Sequence, residues 1–377
     1  MTIVIEKLSG RRGMADWLRV KDLVHADDRH HVPQPDFFEK RRISRRHASF
    51  FSFGEAEFFI AYCNGQPVGR ISAQINRRHL ETHGDATGHF GFFDCMDDEE
   101  AATGLVSAAR DWLASRGLAR MAGPVSFSLN EECGCLVDGF DTAPAVMMPH
   151  HRPWTGRLLE RAGLRKEIDL LAFRMHQWRS PERVQRIANI SARSDAIAMR
   201  SLDMKRYRQD IRLAFDICAD AWSANWGFVP FADAEVATIA SELRPVIRPD
   251  LLQFLTLEGR EVGIMLVLPN INEILKAQGR SRIPFVDLLR MYLTLRLRGT
   301  RTYRVALMGI AREQQSSRLG GALMARLFEE LLTLQKRYDP QWTEMSWILD
   351  TNRPMLRMAE MMSGPPVKRQ RIYATDL

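Results

Sequence analysis

A chain of 377 residues suits two domains better than one. Its composition, 45% hydrophobic and 26% charged, predicts a folded globular protein. No apolar run approaches the roughly 20 residues that span a bilayer, so an integral membrane protein is excluded. The net charge of +7 suits nucleic acid, anionic lipid or a polyanionic small molecule. No zinc-finger spacing or RNA-binding aromatic signature supports nucleic acid, so nucleic acid is not an expected partner.

The opening MTIVIEKLSG reads as a short strand rather than a secretory signal. Met14 to Ala26 has helical periodicity through Trp17, Val20, Lys21 and Val24, and a second helix is predicted from Asp36 to Phe50. FFIAYCNGQPVGRISAQI reads as a hairpin turning at Asn64-Gly65, since both residues tolerate positive φ. HFGFFDCM follows as a strand. Asp97, Asp98 and Glu99 open a helix with Leu105, Ala108, Ala109, Trp112 and Leu113 on its apolar face. A strand near MAGPVSFSL, a helix near WTGRLLERAGL and the strand IDLLAFRM complete this half.

The polar stretch from Gln177 to Arg193 marks the boundary, giving domains 1–178 and 194–377. The second half then repeats the order. AIAMRSLDM is a strand, and Tyr207 to Ala224 and Ala234 to Leu243 are helices. LLQFLTLEGREVGIMLVL is a hairpin turning at Glu258-Gly259. After it come the strand TYRVALMGI, a helix from Ala322 to Tyr338, the strand EMSWILD, a short helix from Pro354 to Met362 and the strand RQRIYATD. Five cysteines, Cys63, Cys95, Cys133, Cys135 and Cys218, make no disulfide framework and fit a reducing cytosol. The Cys133-Gly-Cys135 pair has no partner pair nearby, and no metal site is expected.

This repeated order resembles the GNAT superfamily of acyl-CoA N-acyltransferases. The resemblance implies an α/β fold of two tandem GNAT-like domains, each a mixed, mostly antiparallel sheet flanked by helices. In that family a loop of pattern Q/R-x-x-G-x-G/A opens a helix whose backbone N–H groups cradle the cofactor pyrophosphate. The matching stretch here reads MGIAREQQSSRLGGALM. Gln315 takes the first position and Gly320 the later glycine, while Arg318 stands where the first glycine is expected. Met308, Gly309, Arg312, Gln315, Ser316, Ser317, Arg318, Gly320, Gly321 and Ala322 are therefore the expected acyl-CoA contacts. Asn352 joins them by likeness to the asparagine after the fifth GNAT strand. The corresponding place in the first half, FFDCMDDEEAATG, is acidic and would repel a pyrophosphate. The stretches GQPVGRISAQINRRH, HFGFFDCMDD, GPVSFSLNEECGCLVDGFDTAPAVMMPHHRPW, ANWGFVPF and SWILDTN further resemble a group of bacterial tandem GNAT-like proteins that includes bacterial ceramide synthases. That likeness implies transfer of an acyl group from acyl-CoA, or from an acyl carrier protein, to the amine of a sphingoid base.

Amide formation needs a deprotonated amine, stabilisation of the thioester oxygen and a proton for the departing thiolate. The candidates are His150, Glu131 and Asp138 in the first half and Asn225 in the second, with the site expected between the domains. Glu131, Glu132 and Asp138 can attract a cationic long-chain amine, and His150 can deprotonate it. Two other readings stay open: a GNAT-like binding or regulatory protein without chemistry, and acyl or aminoacyl transfer to another amine. The basic amphipathic stretch from Ile283 to Arg298 predicts contact with an anionic membrane surface. The protein is thus expected in the cytoplasm, peripheral to the inner membrane.

Overall fold

The computed structural model describes residues 2–176, 196–317 and 319–377. The boundary stretch Gln177 to Arg193 and Arg318 lie outside them. The strands are β1 Ile3–Lys7, β2 Gly54–Cys63, β3 Gln66–Asn76, β4 Thr87–Cys95, β5 Arg120–Gly123, β6 Cys135–Asp138 and β7 Arg165–Met175. They continue as β8 Ile197–Ser201, β9 Leu252–Leu257, β10 Arg260–Pro269, β11 Thr302–Ile310, β12 Trp342–Leu349 and β13 Lys368–Asp376. Two compact units result. The first comprises Met1–Leu171, Ile274–Leu289 and Val367–Leu377, and the second Ala172–Glu273 and Arg290–Pro366. This division differs from the expected cut at 178 and 194. Strand β13 is last in the chain, yet it pairs antiparallel with β5 from Tyr373↔Gly123 to Asp376↔Arg120, and with β6. Those ladder bonds place it in the first unit.

In the first unit β1, β2, β3 and β4 pair antiparallel in chain order. The β2–β3 turn has both central residues at positive φ, Asn64 at 50° and Gly65 at 79°, as an Asn-Gly hairpin requires. The alternation of β2 buries both faces. Phe58 and Ile60 pack with Trp17, Val20 and Val24 of helix Gly10–Val24. Phe59 and Ala61 pack with Leu105, Val106 and Ala109 of helix Glu99–Ala114. The expected helix from Asp36 to Phe50 is shorter, Asp36–Arg42, followed by a single 3₁₀ turn at Ser49–Ser52.

In the second unit β8, β9, β10 and β11 pair antiparallel, and β9 turns into β10 at Glu258 and Gly259, φ 51° and 79°. Helix Gly320–Tyr338 buries Leu323, Leu327, Leu331 and Leu334, the face that the periodicity predicts. The two halves of the chain repeat one order of elements, as the sequence predicts. Helices also follow the hairpin in each half of the chain: Arg77–His83 after β3, and Asn272–Gln278 and Phe285–Leu297 after β10.

Each unit contains one parallel strand pair that separates after a few residues. In the second, β11 pairs with β12 only from Thr302↔Trp342 to Val305↔Met345, although β11 runs on to Ile310. In the first, β4 pairs with β5 only from Thr87↔Arg120 to His89↔Ala122. Here the chain itself fills the gap. Beyond Gly123, Pro124 has no N–H to extend the ladder. The chain instead crosses β4, with the Val125 N–H donating to Phe90 O at 2.7 Å. The strand expected over MAGPVSFSL is therefore only Arg120–Gly123, and Phe127 takes φ 78°. Gly91 permits the crossing: a Cβ there would lie 2.2 Å from Val125 O. No helix among the described residues is long and apolar enough to cross a membrane.

Candidate active site

The densest polar cluster lies in the first unit, where helix Gly10–Val24 ends. His25 caps that helix, and the run His25 to His31 turns back beneath it. His25 sits between two carboxylates: Nδ1 is 3.6 Å from Asp28 Oδ2 and Nε2 is 3.5 Å from Asp94 Oδ1. Asp28 Oδ2 is also 2.8 Å from His150 Nε2, and its Oδ1 accepts the His30 N–H at 2.8 Å. His31 stacks on His25, with ring centroids 4.3 Å apart. Asp94, on β4, accepts from Arg70 Nε at 2.8 Å, and the Arg70 guanidinium lies over the Trp17 ring. Arg70 reaches Glu39 at 3.5 Å, and Glu39 meets Lys21 and Arg42. Arg42 then donates to Glu132 at 2.8 Å and Glu131 at 3.2 Å.

Burial and charge set these groups apart. Burial pulls the His150 imidazole down to about 4, although Asp28 draws the other way. Burial likewise takes His151 to about 4 and His31 to about 3. Burial would lower His25 too, but Asp28 and Asp94 outweigh it and raise its pKa. Burial would raise Asp94, yet Arg70 and His25 hold it well below the usual carboxylate range. Asp28 is also depressed, because His25, His150 and the His30 N–H outweigh its burial. His150 is thus neutral near neutral pH, while His25, ring centroid 5.9 Å away, holds its proton more firmly than an ordinary histidine. An ionised Asp28 only accepts, so His150 carries its proton on Nε2 and its lone pair on Nδ1. That Nδ1 is buried with no hydrogen-bond partner among the described residues. A neutral imidazole oriented by a carboxylate can accept a proton from an amine.

The structure therefore joins His150 and Glu131 through one ionic network. It leaves two other candidates outside it. Asp138 ends β6 and accepts its neighbour Gly139's N–H at 2.9 Å, closing a turn. Asn225 belongs to the second unit, in the turn after helix Tyr207–Trp222, where its N–H donates to Trp222 O at 2.8 Å. Sequence reasoning missed His25, Asp28, Arg70 and Asp94. The run His25-Ala-Asp-Asp-Arg-His-His, directly after an amphipathic helix, was the available signal.

In the second unit the loop after β11 is held by its side chains. Gln315 donates from Nε2 to Ala221 O at 2.8 Å and to Ile310 O at 3.0 Å. The Arg312 N–H donates to Asp220, and the Arg312 guanidinium reaches Ser223. Ser316 ends the short helix Arg312–Gln315, and Ser317 Oγ donates to Gln314 O and accepts the Leu319 N–H. Gly320 is sterically required, since a Cβ would lie 2.6 Å from Gln314 O. Gly321, next to half-buried Ala322, faces open space. Upstream, Met308 pairs with Met265 across the sheet, and Gly309 packs on Trp222. Asn352 caps helix Arg353–Ser363 by accepting the Met355 N–H at 3.3 Å. The first turn of helix Gly320–Tyr338 holds no acidic residue. Helix Glu99–Ala114 differs: Asp98 caps it, Glu99 and Glu100 fill its first turn, and Arg157 bridges Asp97 and Glu99. Among the described residues no cluster of His, Cys, Asp and Glu is placed to hold a metal.

Comparison with solved structures defines the class. The fold is shared with a tandem GNAT protein from the clavulanic acid biosynthesis pathway, at 9% identity and TM-score 0.56, over 100% of this chain and 98% of that one. It is also shared with a GCN5-related N-acetyltransferase from Sphaerobacter thermophilus, at 13% identity and TM-score 0.53, over 99% and 95%. The chain has the tandem GNAT fold. No family model matches it. It is 35% identical over 330 residues to the bacterial ceramide synthase of Caulobacter vibrioides, covering 87% of this chain and 85% of that protein. It is 36% identical over 322 residues to Protein YghO of Escherichia coli, covering 85% and 82%. The chain belongs to the family that contains these two proteins.

Proposed function

We propose that the protein is an N-acyltransferase that moves a long-chain acyl group from a CoA thioester to the amine of a sphingoid base at a membrane surface. The observation that carries this reading is the short β11–β12 pairing of the second unit, followed in the chain by a helix with no acid in its first turn at Gly320. Strand β11 there has edge N–H and C=O groups beyond Val305 that β12 does not pair, and polar groups of that kind suit an amide-bearing thioester arm. The donor phosphates would lie at Gln315 through Ala322, at the positive end of the helix. Asn352, Met308 and Gly309 would flank the arm.

His150, oriented by Asp28, would take the proton of the attacking amine. The amine nitrogen bonds to the thioester carbonyl carbon, the C–S bond breaks, and the thiolate leaves with the electron pair. Glu131, Glu132 and Asp138 would attract the cationic substrate, and Asn225 stays a position to vary in the second unit. The ceramide synthase relative supports the sphingoid acceptor.

The test is thiol release from a long-chain acyl-CoA, with the amide product identified by mass, using sphinganine, 3-oxosphinganine or a short amine as acceptor. An acyl carrier protein thioester is run as alternative donor. Release that needs a sphingoid base supports the reading. Release with short amines alone moves the substrate to another amine, and no release with any pair leaves a GNAT fold that binds without transferring.

A further inference from the structure

Helix Phe285–Leu297 half-buries Leu288, Met291 and Leu295 and leaves a second apolar stripe outside. Its single buried residue is the carboxylate Asp287, paired with Arg280. Phe285, Leu289, Leu293 and Leu297 recur every fourth residue, so they form one stripe. That stripe faces solvent, with Phe285 and Leu297 each 81% exposed. A helix in a globular protein normally turns such a stripe to the core. Arg296 sits within the stripe and Arg290 and Arg298 beside it, all exposed. A core-packing role is thereby excluded for that stripe.

A second apolar patch lies on helix Asp36–Arg42. Phe37 and Phe38 are both exposed, their rings 4.3 Å apart. A cleft of about 800 Å³ connects Phe37 to the residues that lead into the first helix. Met14 and Leu18 form one wall, and Ile283 and Pro284 the other. Arg11, Lys40 and Arg282 line the same cleft. Arg11, Lys40 and the neighbouring Arg41 have no carboxylate partner among the described residues. Arg282 is 90% exposed and only 3.6 Å from Asp36, its one acid.

We infer that Phe37, Phe38, Phe285 and Leu289 form a face that docks on an anionic lipid leaflet, with the cations around the cleft set against headgroups. Exposed apolar side chains beside a cleft lined by cations are complementary to such a leaflet, whose surface is negative and whose interior is apolar. A second copy of the chain would bring the same cations against each other, which disfavours self-association through this face. The inference deepens the proposed action at a membrane surface and rests on it only for its purpose, because vesicle binding is read without any acyl transfer.

The full chain is floated with vesicles of phosphatidylcholine alone and of phosphatidylcholine with phosphatidylglycerol. It is expected to float with the anionic vesicles and to be partly released by salt. The double variant Phe285→Ser/Leu289→Ser is expected to lower the bound fraction about tenfold, and Lys40→Ala and Arg282→Ala about fivefold each. All four side chains are exposed, so circular dichroism should show an unchanged fold. Absence of flotation, or flotation that none of these variants weakens, overturns the inference. So does a dimer in solution that Phe285→Ser dissociates without any vesicle binding. Acyl transfer by the same variants, measured with detergent-dispersed substrate, separates a failure of docking from a failure of the proposed chemistry.

Discussion

The two parallel strand pairs start alike and end differently. In the first unit β4 leaves β5 after His89, and Pro124 to Phe127 close the gap with a backbone hydrogen bond to Phe90 O. In the second β11 leaves β12 after Val305 and runs on to Ile310. The helix starts match this difference. One is neutralised by its own acids and Arg157, and the other begins at a glycine with no acid in its first turn. The two regions thus differ: one fills its gap with chain and carries a buried His–Asp–Arg cluster, and in the other β11 runs on to Ile310 past its last pair with β12. Two copies of one fold can therefore differ most at the splayed strand pair and at the helix start beside it.

Several substitutions would break or sharpen that contrast. His150→Ala should lower turnover on the order of 100-fold with little change in the donor Michaelis constant, because proton acceptance would be lost and donor binding kept. Steady-state kinetics with sphinganine reads both constants, and near-normal turnover in a folded variant would remove the cluster from the chemistry. Gly320→Val should act on the other half of the contrast. Its side chain would collide with Gln314 O, displace the loop and raise the donor Michaelis constant roughly 30-fold, with unchanged turnover at saturation. Asp28→Asn should cost about tenfold in turnover, since an amide can still meet the ring but no longer dictates its tautomer.

The pH dependence follows from the same cluster. The folded-state values of His150, His151 and His31 lie below those of the unfolded chain. Between about pH 6.5 and 4 the unfolded state therefore binds more protons, and stability falls as pH falls. The shift at His150 alone corresponds to something on the order of 3 kcal/mol across that window. His25 is raised and works oppositely: its contribution is complete below about 6.5 and fades as pH rises through its folded value. Thermal melts from pH 7 to 4 should show the melting temperature dropping, and His150→Asn should flatten the drop. The smallest effect is expected from Gly321→Ala, whose Cβ would enter open space: under about twofold on any kinetic constant, where a larger rise would mean that the donor lies against that atom.

The sequence by itself carried the repeated element order, both hairpins and the apolar faces of the two long helices. These signals are local: Asn64-Gly65 and Glu258-Gly259 set positive φ, and leucines spaced along Gly320–Tyr338 make one face whatever lies against it. It also marked His150 and the loop at Gly320 as places for chemistry. Tertiary structure decided the rest, where long separations in the chain close up. Asp28 meets His150 across 122 residues, and β13 crosses from the end of the chain to pair with β5. The SFSL run reads as strand by alternation, yet it leaves the sheet because Pro124 ends the ladder and Phe90 offers a carbonyl. The stripe of helix Phe285–Leu297 looked amphipathic in either case. Only packing could show that Phe285, Leu289, Leu293 and Leu297 stay outside while Asp287 is buried, because periodicity defines a face without saying which way it turns.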